Sequence, residues 1–139
     1  MIAVYIHLLS TVFMMGLIWF VQVVHYPLFH KITSYDSSEY ALEHQRLTAW
    51  VVGLPMLLEG VTAIWLFFDP VDGRFFPFIG GVLLLVVHLS TVFLQVPMHS
   101  KLLRRFSILS INRLVKSNWI RTAGWTLRSL VAVLIVASA

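Results

Sequence analysis

Two stretches of this sequence carry the residues best suited to chemistry: VQVVHYPLFHK at 21–31 and VFLQVPMHSK at 92–101. Each ends a long apolar run and sets glutamine, histidine and proline close together. His7, His44 and His88 stand in other apolar stretches, as do Glu59, Arg121 and Arg128. Neutral imidazole ligates haem iron and transition metals, and it titrates near neutral pH. A carboxylate or guanidinium within an apolar run is costly to keep there and by default marks a site.

The elements that position these groups must be membrane helices. The 139 residues are 59% hydrophobic and 12% charged, with mean hydropathy +0.87. A soluble domain carries about 25% charged residues. One integral membrane domain over residues 1–139 is expected, with the lipid bilayer as its main partner. Cysteine is absent, which excludes disulfides, thiolate metal sites and a cysteine nucleophile. The net charge of +4 reads as basic loops on the cytoplasmic side, not as nucleic-acid binding. The first apolar run, about 28 residues without a basic leader, exceeds the ~7–15 of a signal-peptide core.

A span needs roughly 20 apolar residues, which predicts four spans at about 2–29, 38–68, 75–103 and 110–138. Ser37 or Ser38, with Asp36 and Glu39, opens the second. Pro55 lies inside it, and Asp69-Pro70-Val71-Asp72-Gly73 marks the following turn. The fold class is all-α, a four-transmembrane-helix up-and-down bundle. A weak repeat hints at two related hairpins. Spans one and three share HLSTVF-like starts and Q-V…P…H…K ends. Spans two and four share Arg46-Leu-Thr-Ala-Trp50 and Arg121-Thr-Ala-Gly-Trp125. Lys101, Arg104, Arg105, Arg113, Lys116 and Arg121 lie in or flank the third connection, and Lys31 and Arg46 the first. Both loops are therefore expected in the cytoplasm of a bacterial inner membrane, with both termini outside. Arg104 and Arg105 are placed to meet anionic lipid.

Polar residues recur at helical spacing in every span. The stripes are His7, Thr11, Met14, Ile18, Gln22, His25; then His44, Thr48, Val51, Pro55, Glu59, Thr62; then Gly81, Leu84, His88, Thr91, Gln95, His99; then Asn118, Arg121 or Thr122, Trp125, Arg128 or Ser129. Lipid cannot hydrogen-bond them, so they should face the bundle axis. At about 1.5 Å per residue, His25, His44 and His99 fall at one depth near the cytoplasmic face, close to Asn118 and Arg121. His30 lies just beyond. Glu59 and Arg128 are level in the outer half and predict a buried ion pair. His7 and His88 bracket that depth.

Three chemical readings follow. In the first, haem b sits between His25 and His99, with Arg46 and Arg121 on its propionates and a second pair at His7 and His88. In the second, His25, His44 and His99 hold non-haem iron, copper or zinc, with Glu43 behind them. In both, Asn118 and Arg121 orient the guest, and Gln22 and Gln95 hydrogen-bond behind the ligands. The redox partner, a quinone among the candidates, is left open. In the third, Glu59, Arg128 and the histidines serve a proton-coupled transporter or channel, for which four helices call for a homodimer. Against all three stands a purely structural polar core. In it, Ser10, Thr11, Thr48, Thr62, Ser90 and Thr91 act as interhelical glue, and Trp19, Trp50, Trp65 and Trp119 pack or anchor. Phosphate-loop, dinucleotide, nucleophile-elbow and His-Glu-x-x-His motifs are absent.

At Gln95-Val-Pro-Met-His-Ser-Lys-Leu102 and Asn118-Trp-Ile-Arg-Thr-Ala-Gly-Trp-Thr-Leu-Arg128 the chain resembles small bacterial four-span membrane proteins. It is loosely similar to the anthrone-oxygenase-like membrane family. That resemblance implies the four-span fold and a site near Pro97, His99, Asn118 and Arg121. It transfers no substrate. Taken together, the expected role is redox chemistry at haem or a histidine-bound metal, with proton-coupled transport as the alternative.

Overall fold

The computed structural model describes residues 1–31, 37–104 and 107–139, and the described chain is helical apart from its turns. Four helical segments are long and apolar enough to cross a membrane: Ile2–Leu28, Leu42–Phe68, Phe75–Leu102 and Ile108–Ala137. The second begins at Ser37, and its helix is continuous through Pro55 to Phe68. The expectations for Asp36, for the Ser37, Ser38 and His30 side chains, and for Arg104 and Arg105 fall outside what is described. Gly73 closes the expected turn at φ 71°, a left-handed conformation that glycine adopts without strain.

The first span packs against the second and fourth, and the third against the same two. Spans one and three are therefore diagonal, as are two and four. This is the up-and-down bundle expected from four spans with short connections. The N- and C-termini and the 69–74 turn lie at one end (the terminal end). The first and third connections, with their basic flanks, lie at the other (the basic end).

The two odd-numbered spans are not plain α-helices. The first comprises α1 (Ile2–Phe20), a π turn at Val21–His25, α2 (Tyr26–Leu28) and a 3₁₀ turn at Phe29–Lys31. The third comprises α4 (Phe75–Ser90), a π turn at Thr91–Gln95 and α5 (Val96–Arg104). The second span is α3 (Ser37–Phe68) and the fourth is α6 (Ile108–Ala137). Each π turn ends two residues before a proline, Pro27 or Pro97. A proline ring clashes with the carbonyl four residues back and leaves it without a donor. Opening one turn to i→i+5 bonds relieves this, and the Tyr26 N–H donates to the Val21 carbonyl, the Val96 N–H to that of Thr91.

The π turns correct two expectations. In the prolines' register, His25 occupies the place of Gln95, so Gln22 is not the counterpart of Gln95. The second half of the repeat does not hold in three dimensions either. Trp50 is 81% exposed, whereas Trp125 is fully buried.

Three apolar clusters stack along the bundle. Val4, Leu66 and Ile135 fill the terminal end. Met14, Ile18, Val87 and Trp125 fill the middle. Tyr26, Phe29, Leu102, Ile111 and Leu114 fill the basic end. Gly124 lets α6 approach α4, because a Cβ there would collide with a Val87 methyl carbon.

Candidate functional site

The fourth span is an unbroken helix, so its stripe holds throughout. Asn118, Thr122, Trp125, Arg128 and Ser129 are all buried. Along the first span, His7, Thr11, Met14, Ile18 and Gln22 are buried as expected, but beyond the π turn Tyr26 and Phe29 take the inner face and His25 is half-buried. In the second span Val51 points outward, while Val52 faces the interior cavity. In the third span the expected stripe is displaced by the π turn. Above that turn the buried face runs through Pro77, Gly80, Val87 and Ser90, not through Gly81, Leu84 and His88. One extra residue per turn rotates the face, which a fixed spacing cannot follow.

The terminal half contains the predicted ion pair. Arg128 Nε donates to Glu59 Oε1 at 2.8 Å, and Trp125 Nε1 donates to Glu59 Oε2 at 3.0 Å. Arg128 also donates to the Gly80 carbonyl. Both carboxylate oxygens are thus engaged. His7 Nδ1 shares a 2.9 Å hydrogen bond with Thr62 Oγ1. His88 does not join it. Its Nδ1 donates to its own helix at the Leu84 carbonyl, 2.9 Å away, and its ring lines an apolar groove of about 530 Å³ between α3 and α4. The structure therefore does not bring His7 and His88 together as a ligand pair.

The basic half holds the histidine cluster. His25 Nε2 and His44 Nδ1 are hydrogen-bonded at 2.9 Å, with ring centroids 4.3 Å apart. His44 and His99 stand 5.7 Å apart, centroid to centroid. Phe29 packs edge-on against His25 and His44. The Tyr26 hydroxyl meets His99 Nε2 at 3.2 Å and also lies beside the Arg121 guanidinium. The common depth of the three histidines is as expected. One nitrogen of each ring, however, is engaged: His25 Nε2 with His44 Nδ1, and His99 Nε2 with Tyr26. Among the described residues no group of three histidine or acidic side chains is arranged to hold a metal ion. His25 is thus engaged by His44 and His99 by Tyr26.

Gln22 and Asn118 turn away from the histidines and tie span one to span four. Asn118 Nδ2 donates to Gln22 Oε1 at 2.9 Å, and Gln22 Nε2 to the Val115 carbonyl at 3.2 Å. Arg46 is 66% exposed and pairs at 2.6 Å with Glu43, so neither reaches the interior. A guanidinium at the helix surface gains more from water and a nearby carboxylate than from burial. The hydroxyls mostly serve their own helices: Ser10, Thr62 and Thr91 each donate to the carbonyl four residues back. Trp19 packs edge-on to Trp119 at 5.6 Å and donates to Thr126, a semi-exposed belt.

Beside the cluster lies a cavity of about 250 Å³. Tyr26, His44, Gln45, Gln95, His99 and Arg121 supply most of its polar wall, and Met14, Leu17, Ile18, Val21, Val52 and Met56 much of the apolar one. Among the described residues, the buried polar atoms without a partner include Gln45 Nε2, Gln95 Oε1, His99 Nδ1 and Arg121 Nε. All four belong to side chains of this one wall. Such atoms cost about 1–3 kcal/mol each unless something completes them. Tyr26 and Gln45 were not foreseen from the sequence. The Tyr-Pro pair that forces the π turn was the available signal for Tyr26; Gln45, adjacent to His44 on an amphipathic stretch, gave none.

No family model matches the chain, and no curated protein or solved structure does. The likeness to the anthrone-oxygenase-like family rests on its short motifs alone.

Proposed function

We propose that the chain binds a small molecule inside the bilayer, in the cavity between His44, His99, Tyr26, Arg121, Gln45 and Gln95. One observation carries this reading: four unpartnered buried polar atoms belong to the wall of a single cavity. A purely structural core would pair them or replace them with apolar groups. The Tyr26–His99 hydrogen bond places an acid–base pair at the wall, suited to moving a proton to or from the guest. The site lies at the basic end, which the positive-inside rule assigns to the cytoplasmic face of a bacterial inner membrane.

A redox centre on the same histidines is the second reading, favoured by the convergence of His25, His44 and His99. It requires the His25–His44 hydrogen bond to open so that haem b or a metal can take those nitrogens.

One preparation tests both readings. Protein purified in lipid nanodiscs is extracted and its small molecules are compared by mass spectrometry with those of Val52→Trp, which fills the cavity. The proposal expects a species near one per chain in the wild type and its loss in the variant; identical extracts contradict it. A visible spectrum with a Soret band, or stoichiometric iron, copper or zinc in the same sample, moves the conclusion to the redox centre.

A further inference from the structure

The chemical class of the guest follows from the charge on the wall. α6 carries two arginines seven residues apart, both turned inward. Among the described residues the ion pairs are Glu59–Arg128 and Glu43–Arg46. Arg121 therefore has no carboxylate among the described residues. It donates to Asn118 Oδ1 at 3.3 Å, and its guanidinium carbon lies 5.4 Å from the centroid of the Trp125 ring. Neither contact supplies a negative charge. A cation held in a low-dielectric interior without a counter-charge is strongly disfavoured.

The other unpaired atoms point the same way. Arg121 can only donate, so the Tyr26 oxygen beside it accepts. The direction of the Tyr26–His99 Nε2 hydrogen bond depends on the imidazole tautomer, and Tyr26 is taken as its donor. A neutral His99 accepting at Nε2 carries its proton on Nδ1, the nitrogen left without a partner. Gln45 Nε2 and Arg121 Nε are donors as well. Three of the wall's four unsatisfied groups are thus N–H donors, gathered around one uncompensated positive charge. The remaining wall is methionine and aliphatic apart from Thr48 and Thr91. An apolar cavity of about 150 Å³ holds benzene, so 250 Å³ admits a ring or short chain with a polar head.

We propose that the guest is a small amphipathic monoanion, a carboxylate on a short apolar body, with Arg121 as its counter-ion. This rests on the reading that the cavity holds a guest. The carboxylate would accept from Arg121, His99 and Gln45, and the apolar body would lie against Ile18, Val52 and Met56.

The test uses the whole chain in nanodiscs and calorimetric titration with two matched pairs, benzoate against benzamide and octanoate against octanamide. The wild type should bind the carboxylate of at least one pair about tenfold or more tightly than its amide. Arg121→Gln should erase that preference. Arg121→Lys, which keeps the charge, should retain it at lower affinity. Amides bound as well as carboxylates, or a preference that survives in Arg121→Gln, would overturn the monoanion. If Arg121→Gln does not fold, loss of the preference in Arg121→Lys overturns it instead. Failure of every probe to bind the wild type would overturn the cavity reading along with it.

Discussion

Arg121 and Arg128 stand on one face of one helix, two turns apart, and their surroundings differ in kind. Arg128 is 1% exposed and sits against a carboxylate that is itself fully buried, with Trp125 and the Gly80 carbonyl completing the set. Three spans meet there through complementary charges and hydrogen bonds. Arg121 has an amide, a phenol oxygen and an indole face, none of them a carboxylate, and beside it is empty volume. The terminal half pairs its arginine with a carboxylate, although Arg128 Nη2, Thr11 Oγ1 and Ser90 Oγ have no partner. The basic half leaves its arginine for a guest. Buried polarity in a small membrane bundle therefore has two meanings, and the presence or absence of an opposite charge beside the arginine tells them apart.

The largest effect is expected where the closed network is broken on one side. Glu59→Leu strands the Arg128 charge and should lower unfolding free energy by about 3–5 kcal/mol, while Glu59→Leu with Arg128→Leu should recover much of that loss. Reversible unfolding in bicelles reads both; equal losses in the single and double variants would mean that the pair is not coupled. Next comes the α4–α6 contact. Gly124→Ala drives a methyl into the stiff, fully buried Val87 side chain, with an expected cost of about 1–3 kcal/mol, whereas Gly80→Ala meets only ordinary contacts at 3.5 and 3.8 Å and should be nearly neutral. Comparable melting temperatures for the two variants would refute the close approach. Smaller still is Gln22→Leu. It deletes the bridge to Asn118, and such interhelical bonds average about 0.6 kcal/mol with a maximum near 1.7. A loss of several kcal/mol by the same assay would make Gln22 a member of the site rather than a strut.

The fold was legible because it follows from composition and punctuation. Apolar runs of spanning length, the Asp-Pro-Val-Asp-Gly turn and the basic connections leave little freedom. The Glu59–Arg128 pair was legible from depth alone, since two opposite charges at one level in lipid must meet. The fourth span was legible in full because no proline interrupts its period. What escaped sequence reasoning centres on the turns that precede Pro27 and Pro97. The π turns there rotate the inner face, bring Tyr26 inward, leave His25 half-buried and set His88 at a groove. The three-histidine level survived because depth is insensitive to rotation; the roles given to Arg46 and to a His7–His88 pair did not, because those roles depended on facing.

The division of labour between the two arginines is tested most directly by comparing Arg121→Leu and Arg128→Leu in one unfolding series on guest-free protein. Arg128→Leu should cost about 3–5 kcal/mol, since it leaves a buried carboxylate without its partner. Arg121→Leu should change stability by no more than about 0.5 kcal/mol, or raise it, because the lost charge had no partner. Equal and large losses in both would show that Arg121, like Arg128, belongs to the closed framework, and would contradict its assignment to a binding site.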